Sequence, residues 1–258
     1  MSEKITFLGQ CGFVIETEDG LKIAIDPVLT ELFDDDGNNI RHYPPVFEPE
    51  KLSADYIICT HDHIDHMAIP TIKRAMSVCE KTKVIVPKGC VKLLLAAGLP
   101  MEKIIDVSDC EEKIIEAGKL SVKGISAAHP THHLDEDGLD RNLVFAIKIA
   151  GKEQYVHLGD TYLTERLENN LKKLGKIDML FLPINGQDEE RSSKGIIGNL
   201  DCKEAAYLSS VLKPSVAVPT HFDMVIGNTA NPEEFIHYIK EIDEDIDCYI
   251  PELGKIMS

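Results

Sequence analysis

Apolar residues along this chain come in short runs broken by polar turns, and the period of each run decides what it can form. The stretches 5–8, 13–17 and 22–25 are rich in β-branched and aromatic residues, and Glu18-Asp19-Gly20 between the last two is a turn signal, so the chain opens as an antiparallel meander. From Tyr56 the pattern alternates. A strand at 56–60 is followed by a helix at 70–80, a strand at 83–86 and a helix at 91–97 that Gly98 and Pro100 stop. The second half repeats the plan. Strands are predicted at 120–127, 143–149 and 154–158 with a turn at Gly151-Lys152, then a helix at 164–174, a strand at 179–182, a helix at 201–212, a strand at 215–219 and a helix at 232–241. Two halves of this kind predict two sheets packed face to face with helices outside, a four-layer αββα sandwich of the mixed α/β (α+β) class. No linker rich in Gly, Ser or Pro interrupts it, so residues 1–258 read as a single domain.

The polar residues gather at the ends of these strands, where a rigid sheet can hold functional groups on loops. Tyr56-Ile57-Ile58-Cys59-Thr60 runs into His61-Asp62-His63-Ile64-Asp65-His66, and three later apolar runs end in His129, Asp160 and His221. Residues two apart point the same way on extended backbone, so His61 and His63 can grip one ion, while Asp65 and His66 face a neighbouring position and can hold a second. Asp160, with two oxygens, is the natural bridge. Imidazoles with a few carboxylates suit zinc, manganese or iron, and a calcium site would be built mainly from oxygen.

Composition narrows the partners. The formal charge of −17 comes from 27 Lys plus Arg against 44 Asp plus Glu, and it argues against a nucleic-acid partner, since no basic patch offsets it. Two divalent cations in a pocket would still attract a small anionic substrate, because an ion dominates its local field. The opening Met1-Ser2-Glu3-Lys4-Ile5 has no basic segment followed by a long apolar run, and no stretch approaches the roughly 20 apolar residues of a membrane span. Seven cysteines with no C-x-x-C pair make neither a disulfide framework nor a thiolate zinc site. A cytoplasmic protein without a membrane partner is the expectation, and self-association stays open.

At the residues His61 to His66 the chain resembles the metallo-β-lactamase superfamily, whose motif H-x-H-x-D-H stands here complete. The resemblance implies one ion held by His61, His63 and His129, another by Asp65, His66 and His221, and Asp160 bridging. Position 63 is His and not the Glu of the redox diiron branch, which points to hydrolysis. Within the superfamily the chain is most similar to the L-ascorbate-6-phosphate lactonase branch, through Leu8-Gly9-Gln10-Cys11-Gly12-Phe13, Val86-Pro87-Lys88-Gly89-Cys90, Ala97-Gly98-Leu99-Pro100, Gly159-Asp160-Thr161 and Pro219-Thr220-His221-Phe222-Asp223 with Asn231-Pro232-Glu233-Glu234. It departs from that branch in stopping soon after the helix at Pro232 and in keeping His129 within His129-Pro130-Thr131-His132-His133.

That likeness implies a manganese- or zinc-dependent hydrolase, iron being a third choice, that opens a lactone or related ester of a small sugar acid, phosphorylated or not. Two ions about 3.5–4 Å apart lower the pKa of a shared water, so a metal-bound hydroxide is the expected nucleophile and Asp65 its orienting group. Protein nucleophiles are then unnecessary: there is no G-x-S-x-G elbow, and Cys59 reads as a buried structural thiol. Arg141, His132, His133 and Asn142 lie on or just after the loop leaving His129 and are candidate substrate contacts, with Arg141 best suited to an oxyanion. Tyr162 and Asn185-Gly186-Gln187 are rim residues by position. Asp223 is a candidate to hold a ligand histidine in its tautomer, or else an exposed loop carboxylate. His157 reads as a core or face residue and His237 as part of the last helix. The alternatives are a phosphodiesterase acting on a small or cyclic diester and a non-catalytic metal-dependent binding module.

Overall fold

The computed structural model describes residues 3–257 except residue 152. Met1, Ser2 and the Lys152 half of the expected turn therefore lie outside the described residues, while Gly151 sits in the left-handed conformation a turn needs. One sheet runs β1 (Lys4–Gly9), β2 (Gly12–Glu16), β3 (Lys22–Ile25), β4 (Tyr56–Ile58), β5 (Lys83–Pro87) and β6 (Ile104–Val107), antiparallel as far as β3 and parallel from there on. The other runs β7 (Glu112–Ile115), β8 (Leu120–Ser126), β9 (Leu143–Ile149), β10 (Glu153–His157), β11 (Met179–Pro183), β12 (Val216–Thr220) and β13 (Asp247–Cys248), antiparallel as far as β10 and parallel afterwards. The short β14 (Ile256–Met257) pairs outside β1. Each half is thus a meander feeding strand-helix units, as the sequence pattern predicts.

Alternation within single strands builds the layers. In β4, Tyr56 and Ile58 point between the sheets and Ile57 points out, and in β11 Phe181 points in while Leu180 and Leu182 point out. The inner core is aromatic at its centre, where Phe13 and Phe181 meet across the sheets at 4.5 Å between ring centroids. Outside the first sheet lie α1 (Ile69–Val78) and α2 (Val91–Ala96), whose Ile72 and Leu94 cover Ile57, Val84 and Val86. Outside the second lie α3 (Glu165–Leu171), the single-turn α4 (Glu189–Ser193) on a loop, α5 (Cys202–Leu212) and α6 (Pro232–Ile242). Leu167, Leu208, Phe235 and Ile239 from three of these helices pack on Leu180, Leu182 and Ala217. The result is the αββα sandwich. α5 starts with a complete capping box, in which the Asp201 side chain accepts from the Glu204 N–H and the Glu204 carboxylate accepts from the Asp201 N–H. None of the helices described is long and apolar enough to cross a membrane.

The differences from the predicted elements fall at edges. Strands β6, β7, β13 and β14, which the sequence pattern does not mark, are the edges of the two sheets, and each forms against one neighbour that supplies its hydrogen bonds. The helix expected over 164–174 is α3 to Leu171 followed by one 3₁₀ turn, which Gly175 ends.

Candidate metal centre

One rim of the sandwich collects the residues that end β1, β3, β4, β8, β10 and β12. Four of the turning points there sit in the left-handed region: Gln10 at φ 56°, Asp26 at 42°, Gly159 at 57° and His221 at 56°. Three of them carry side chains that pay about 1–2 kcal/mol for it, the kind of strain that clusters at functional sites. At Gly159 nothing but glycine fits, because a Cβ would stand 2.6 Å from Cβ and Oγ1 of Thr60. Gly159→Ala is expected to cost about 2–4 kcal/mol by combining overpacking with left-handed strain, read from denaturant unfolding. A loss under about 0.5 kcal/mol would mean that Thr60 yields freely.

The seven sequence-predicted metal residues come together. His61, His63, His129 and Asp160 form one set and Asp65, His66 and His221 another, with the ligating atoms of each set all within 4.8 Å of one another. Asp160 stands between the two. Its Oδ2 lies 3.4 Å from His129 Nε2, 3.9 Å from His61 Nε2 and 3.3 Å from His221 Nε2, and its Oδ1 lies 3.1 Å from His66 Nε2. Asp65 Oδ2 is 3.4 Å from His221 Nε2 and 3.7 Å from His66 Nε2.

Whether a metal fits can be judged from the polar atoms left over. The Nε2 atoms of His61, His66 and His129, the Nδ1 of His129 and the Oδ1 of Asp160 are buried with no hydrogen-bond partner among the described residues. A neutral imidazole offers one lone pair, so these amount to one nitrogen from each of three rings with the Asp160 oxygen, and so many gathered in one place are costly unless something accepts them together. A divalent cation does so. Burial holds His61 well below the usual imidazole range and His129 at about 4, so both stay neutral, as ligands must be. Burial opposes charge on His66 and His221 too, but the carboxylates of Asp160 and Asp65 outweigh it, raising His66 well up and His221 to about 9. Reciprocally, burial pushes Asp160 up, and His221 and His66 overcome this and hold it well below the ordinary carboxylate range.

Residues that sequence reasoning missed surround this set. Asp26 is fully buried: its Oδ2 lies 2.7 Å from His66 Nδ1 and accepts from the Thr60 hydroxyl at 2.6 Å, while Oδ1 accepts from the Thr60 N–H at 2.7 Å. Gln10 donates from Nε2 to Asp65 Oδ2 at 2.8 Å and comes within 2.9 Å of His221 Nε2. Cys11 lies within reach of His66 and Asp160, with a thiol that burial, Asp160 and Asp26 push well up. The signal for Asp26 was available, since Ile23-Ala24-Ile25-Asp26 has the same apolar-run-then-ligand form as the other strand ends.

The remaining sequence-predicted residues are spread around the centre. Among the described residues no hydrogen bond joins Asp223 to the His221 ring; its carboxylate accepts from the Gln10 N–H at 3.0 Å and the Tyr43 hydroxyl at 2.6 Å, one step behind Gln10. Asn142 is buried and donates to the Asp160 carbonyl at 2.9 Å, which fixes the backbone that carries the carboxylate. Arg141 donates to Asp62 at 3.1 Å, His133 stands 3.5 Å from the same carboxylate, and exposed His132 lies 2.9 Å from the Ser126 hydroxyl. Asn185 is buried in an amide network described below. Tyr162 stands 6.1 Å from His129 between ring centroids. His157 is a core residue, accepting from the Gly159 N–H and contacting the Cys11 carbonyl at 2.8 Å, and Cys59 is a buried thiol pushed well up by burial. His237 is exposed on α6, 3.2 Å from Glu241.

The centre opens into a cavity of about 290 Å³. His63, Asp65, His129, Asp160 and His221 form its floor, and Ile40, Ile64, Ile196, Ile197 and Val225 its walls, with Asn228 among them. None of Arg141, His132, His133, Asn142 and Asn185 is among its lining residues, and neither is any Lys or Arg.

Fold and centre together define a class, and the sequence comparison agrees with it: the chain belongs to the β-lactamase superfamily, whose family description "Beta-lactamase superfamily domain" matches residues 4–221. It is 30% identical to the UPF0173 metal-dependent hydrolase of Thermococcus onnurineus over 99% of both chains, and 30% identical to a UPF0173 protein of Pyrococcus furiosus over 90% of this chain and 88% of that one. Among solved structures, Igni18, a metallo hydrolase from Ignicoccus hospitalis, superposes with a TM-score of 0.74 at 20% identity over 100% of this chain and 98% of the other. These matches establish the superfamily and the metallo-β-lactamase fold, which is broader than the lactonase branch the sequence stretches resemble.

Proposed function

We propose that this chain is a metal-dependent hydrolase that opens a small lactone or related carboxylic ester, with two divalent ions, manganese or zinc, held by His61, His63 and His129 on one side, Asp65, His66 and His221 on the other, and Asp160 between. The observation that carries the reading is the position of Asp160, one carboxylate within 3.9 Å of four imidazole nitrogens drawn from both sets. The name borne by the Thermococcus relative, a metal-dependent hydrolase, supports it. When bound, such ions supply a water of lowered pKa and a Lewis acid for the carbonyl. The chain's own groups do the rest. Neutral His61 and His129 present lone pairs, Gln10 fixes Asp65 through Oδ2, and the other oxygen of Asp65 is left to accept from the attacking water at the cavity floor. The apolar walls fit an uncharged substrate. A phosphorylated one would find no side-chain cation in the lining, since Arg141 is engaged by Asp62. Seven free cysteines accord with a reducing cytoplasm.

The test is turnover by protein reconstituted with manganese or zinc on a panel of simple aliphatic lactones, ascorbate 6-phosphate, a thioester, a cephalosporin and a phosphodiester. Lactone hydrolysis that EDTA abolishes and added metal restores is the expected result. Cleavage of the phosphodiester alone would leave the metal centre standing and overturn the substrate class, and metal binding with no turnover of any member would favour a binding module.

A further inference from the structure

Apart from the candidate metal ligands, the cavity presents a single polar side chain among the described residues. Asn228 lies in the turn after β12, buried to 6% exposure, with its N–H donating to the Val225 carbonyl at 3.0 Å. Its side-chain oxygen is taken twice, by Nδ2 of Asn185 at 2.9 Å and by Nη1 of Arg191 at 3.2 Å. A guanidinium only donates, so the atom of Asn228 turned toward Arg191 must be the oxygen. Asn185 is oriented in the same sense, because its own oxygen accepts from Asn199 Nδ2 at 3.0 Å. Arg191 is in turn fixed by donating to the Asn185 carbonyl and to the Asp188 carboxylate at the start of α4. This leaves the Asn228 Nδ2, with two N–H donors, as the end of the amide that has no hydrogen-bond partner among the described residues, on a residue that lines the cavity together with the candidate metal ligands.

A pocket with apolar walls and one polar group of fixed direction is built to orient a ligand by that group. We propose that Asn228 is a substrate-contacting catalytic residue whose Nδ2 donates to the carbonyl oxygen of the scissile ester, and that Arg191 is the positioning residue that keeps the amide turned nitrogen-first into the cavity. The proposal rests on the ester or lactone hydrolase reading above. As the oxygen of water bonds to the carbonyl carbon, the carbonyl π pair moves onto the oxygen that Asn228 faces. Collapse then returns that pair and breaks the bond to the leaving oxygen, which takes the proton lost by the water by way of Asp65. A preoriented donor at the oxygen where charge grows stabilises the transition state more than the ground state. The effect belongs mainly in kcat.

The variants separate this from a role in holding the loop. Asn228→Asp keeps an acceptor for Arg191 and Asn185 but has no donor, and Asn228→Ala removes both. On the lactone that the wild type hydrolyses best, each is expected to lower kcat by about 100-fold with metal content and melting temperature preserved. Arg191→Gln, which can accept and so lets the Asn228 amide turn over, should lower kcat by about tenfold, with Arg191→Lys restoring it to within about threefold of wild type. Binding of butyrohydroxamate, a carbonyl probe, to the metal-loaded protein by calorimetry should weaken about tenfold in both Asn228 variants. Values of kcat within about threefold of wild type in both Asn228 variants would overturn the proposal. So would a loss of activity that tracks falling metal content or melting temperature in every variant, which would mark a purely structural network. If the wild type hydrolyses no member of the panel, the hydrolase reading has failed, and unchanged hydroxamate affinity in the Asn228 variants would overturn the contact as well.

Discussion

Asp160→Ala is expected to bring the metal content below two equivalents and to lower turnover by about a thousandfold or more, the scale of losing several kcal/mol of transition-state stabilisation. The carboxylate is nearly fully buried, and its two oxygens reach both histidine sets, at 3.1 to 3.9 Å. Without it each set keeps three donors but loses the anion that would draw two cations into one site. The variant should still fold, since what Asn142 holds at 2.9 Å is the backbone carbonyl of residue 160, which alanine keeps. Elemental analysis after dialysis, with turnover on the best panel substrate, checks it. Two tightly held equivalents in the variant would show that Asp160 is not the bridge.

The gathering of the candidate ligands was legible in the sequence because the fold writes it in a local code: His61, His129, Asp160 and His221 each stand just beyond an apolar strand, and a strand's carboxyl end is where a rigid sheet presents loops. The code is degenerate for single carboxylates. Asp26 ends β3 in the same manner as Asp160 follows β10, yet one Asp after a strand reads equally well as the start of a turn. Gln10 and Cys11 carry no metal-motif spacing, and their place depends on the β1–β2 turn folding over the rim. The residues after His129 show the limit of sequence adjacency. Arg141 and His133 follow a ligand in sequence, but both turn to Asp62, and only the packed structure shows that the guanidinium is engaged there. Asn228 and Arg191 could not be read at all, since their pairing across 37 positions is a tertiary fact, without period or motif. The weakest strands, β7 and β13, were illegible for a related reason: edge strands are specified by their partner's exposed hydrogen-bonding groups more than by their own side chains.

The largest effect on metal affinity expected away from the candidate ligands themselves belongs to Asp26→Asn. Asp26 Oδ2 lies 2.7 Å from His66 Nδ1 and also accepts from the Thr60 hydroxyl, and both His66 and Asp26 are fully buried, so no water can replace the contact. A carboxylate there compels the proton onto Nδ1, which leaves Nε2 with a lone pair aimed at Asp160 and Asp65. An amide nitrogen in the same place is a donor, so it favours the other tautomer, in which Nε2 carries hydrogen and cannot ligate. The affinity of the set formed by Asp65, His66 and His221 should therefore fall by about 10–100-fold, while the set formed by His61, His63 and His129 keeps its own. Calorimetric titration of metal into the metal-stripped variant would resolve this as one retained and one weakened binding step. Two steps of unchanged affinity would show that Asp26 merely fills space beneath His66. A loss of both steps together would place its effect in Thr60, whose N–H and hydroxyl also depend on that carboxylate and whose carbonyl accepts from Leu143 of the second sheet. The selective pattern is the expected one, because the His61 Nδ1 lies 3.0 Å from the Thr60 hydroxyl and no hydrogen bond joins His61 to Asp26 among the described residues.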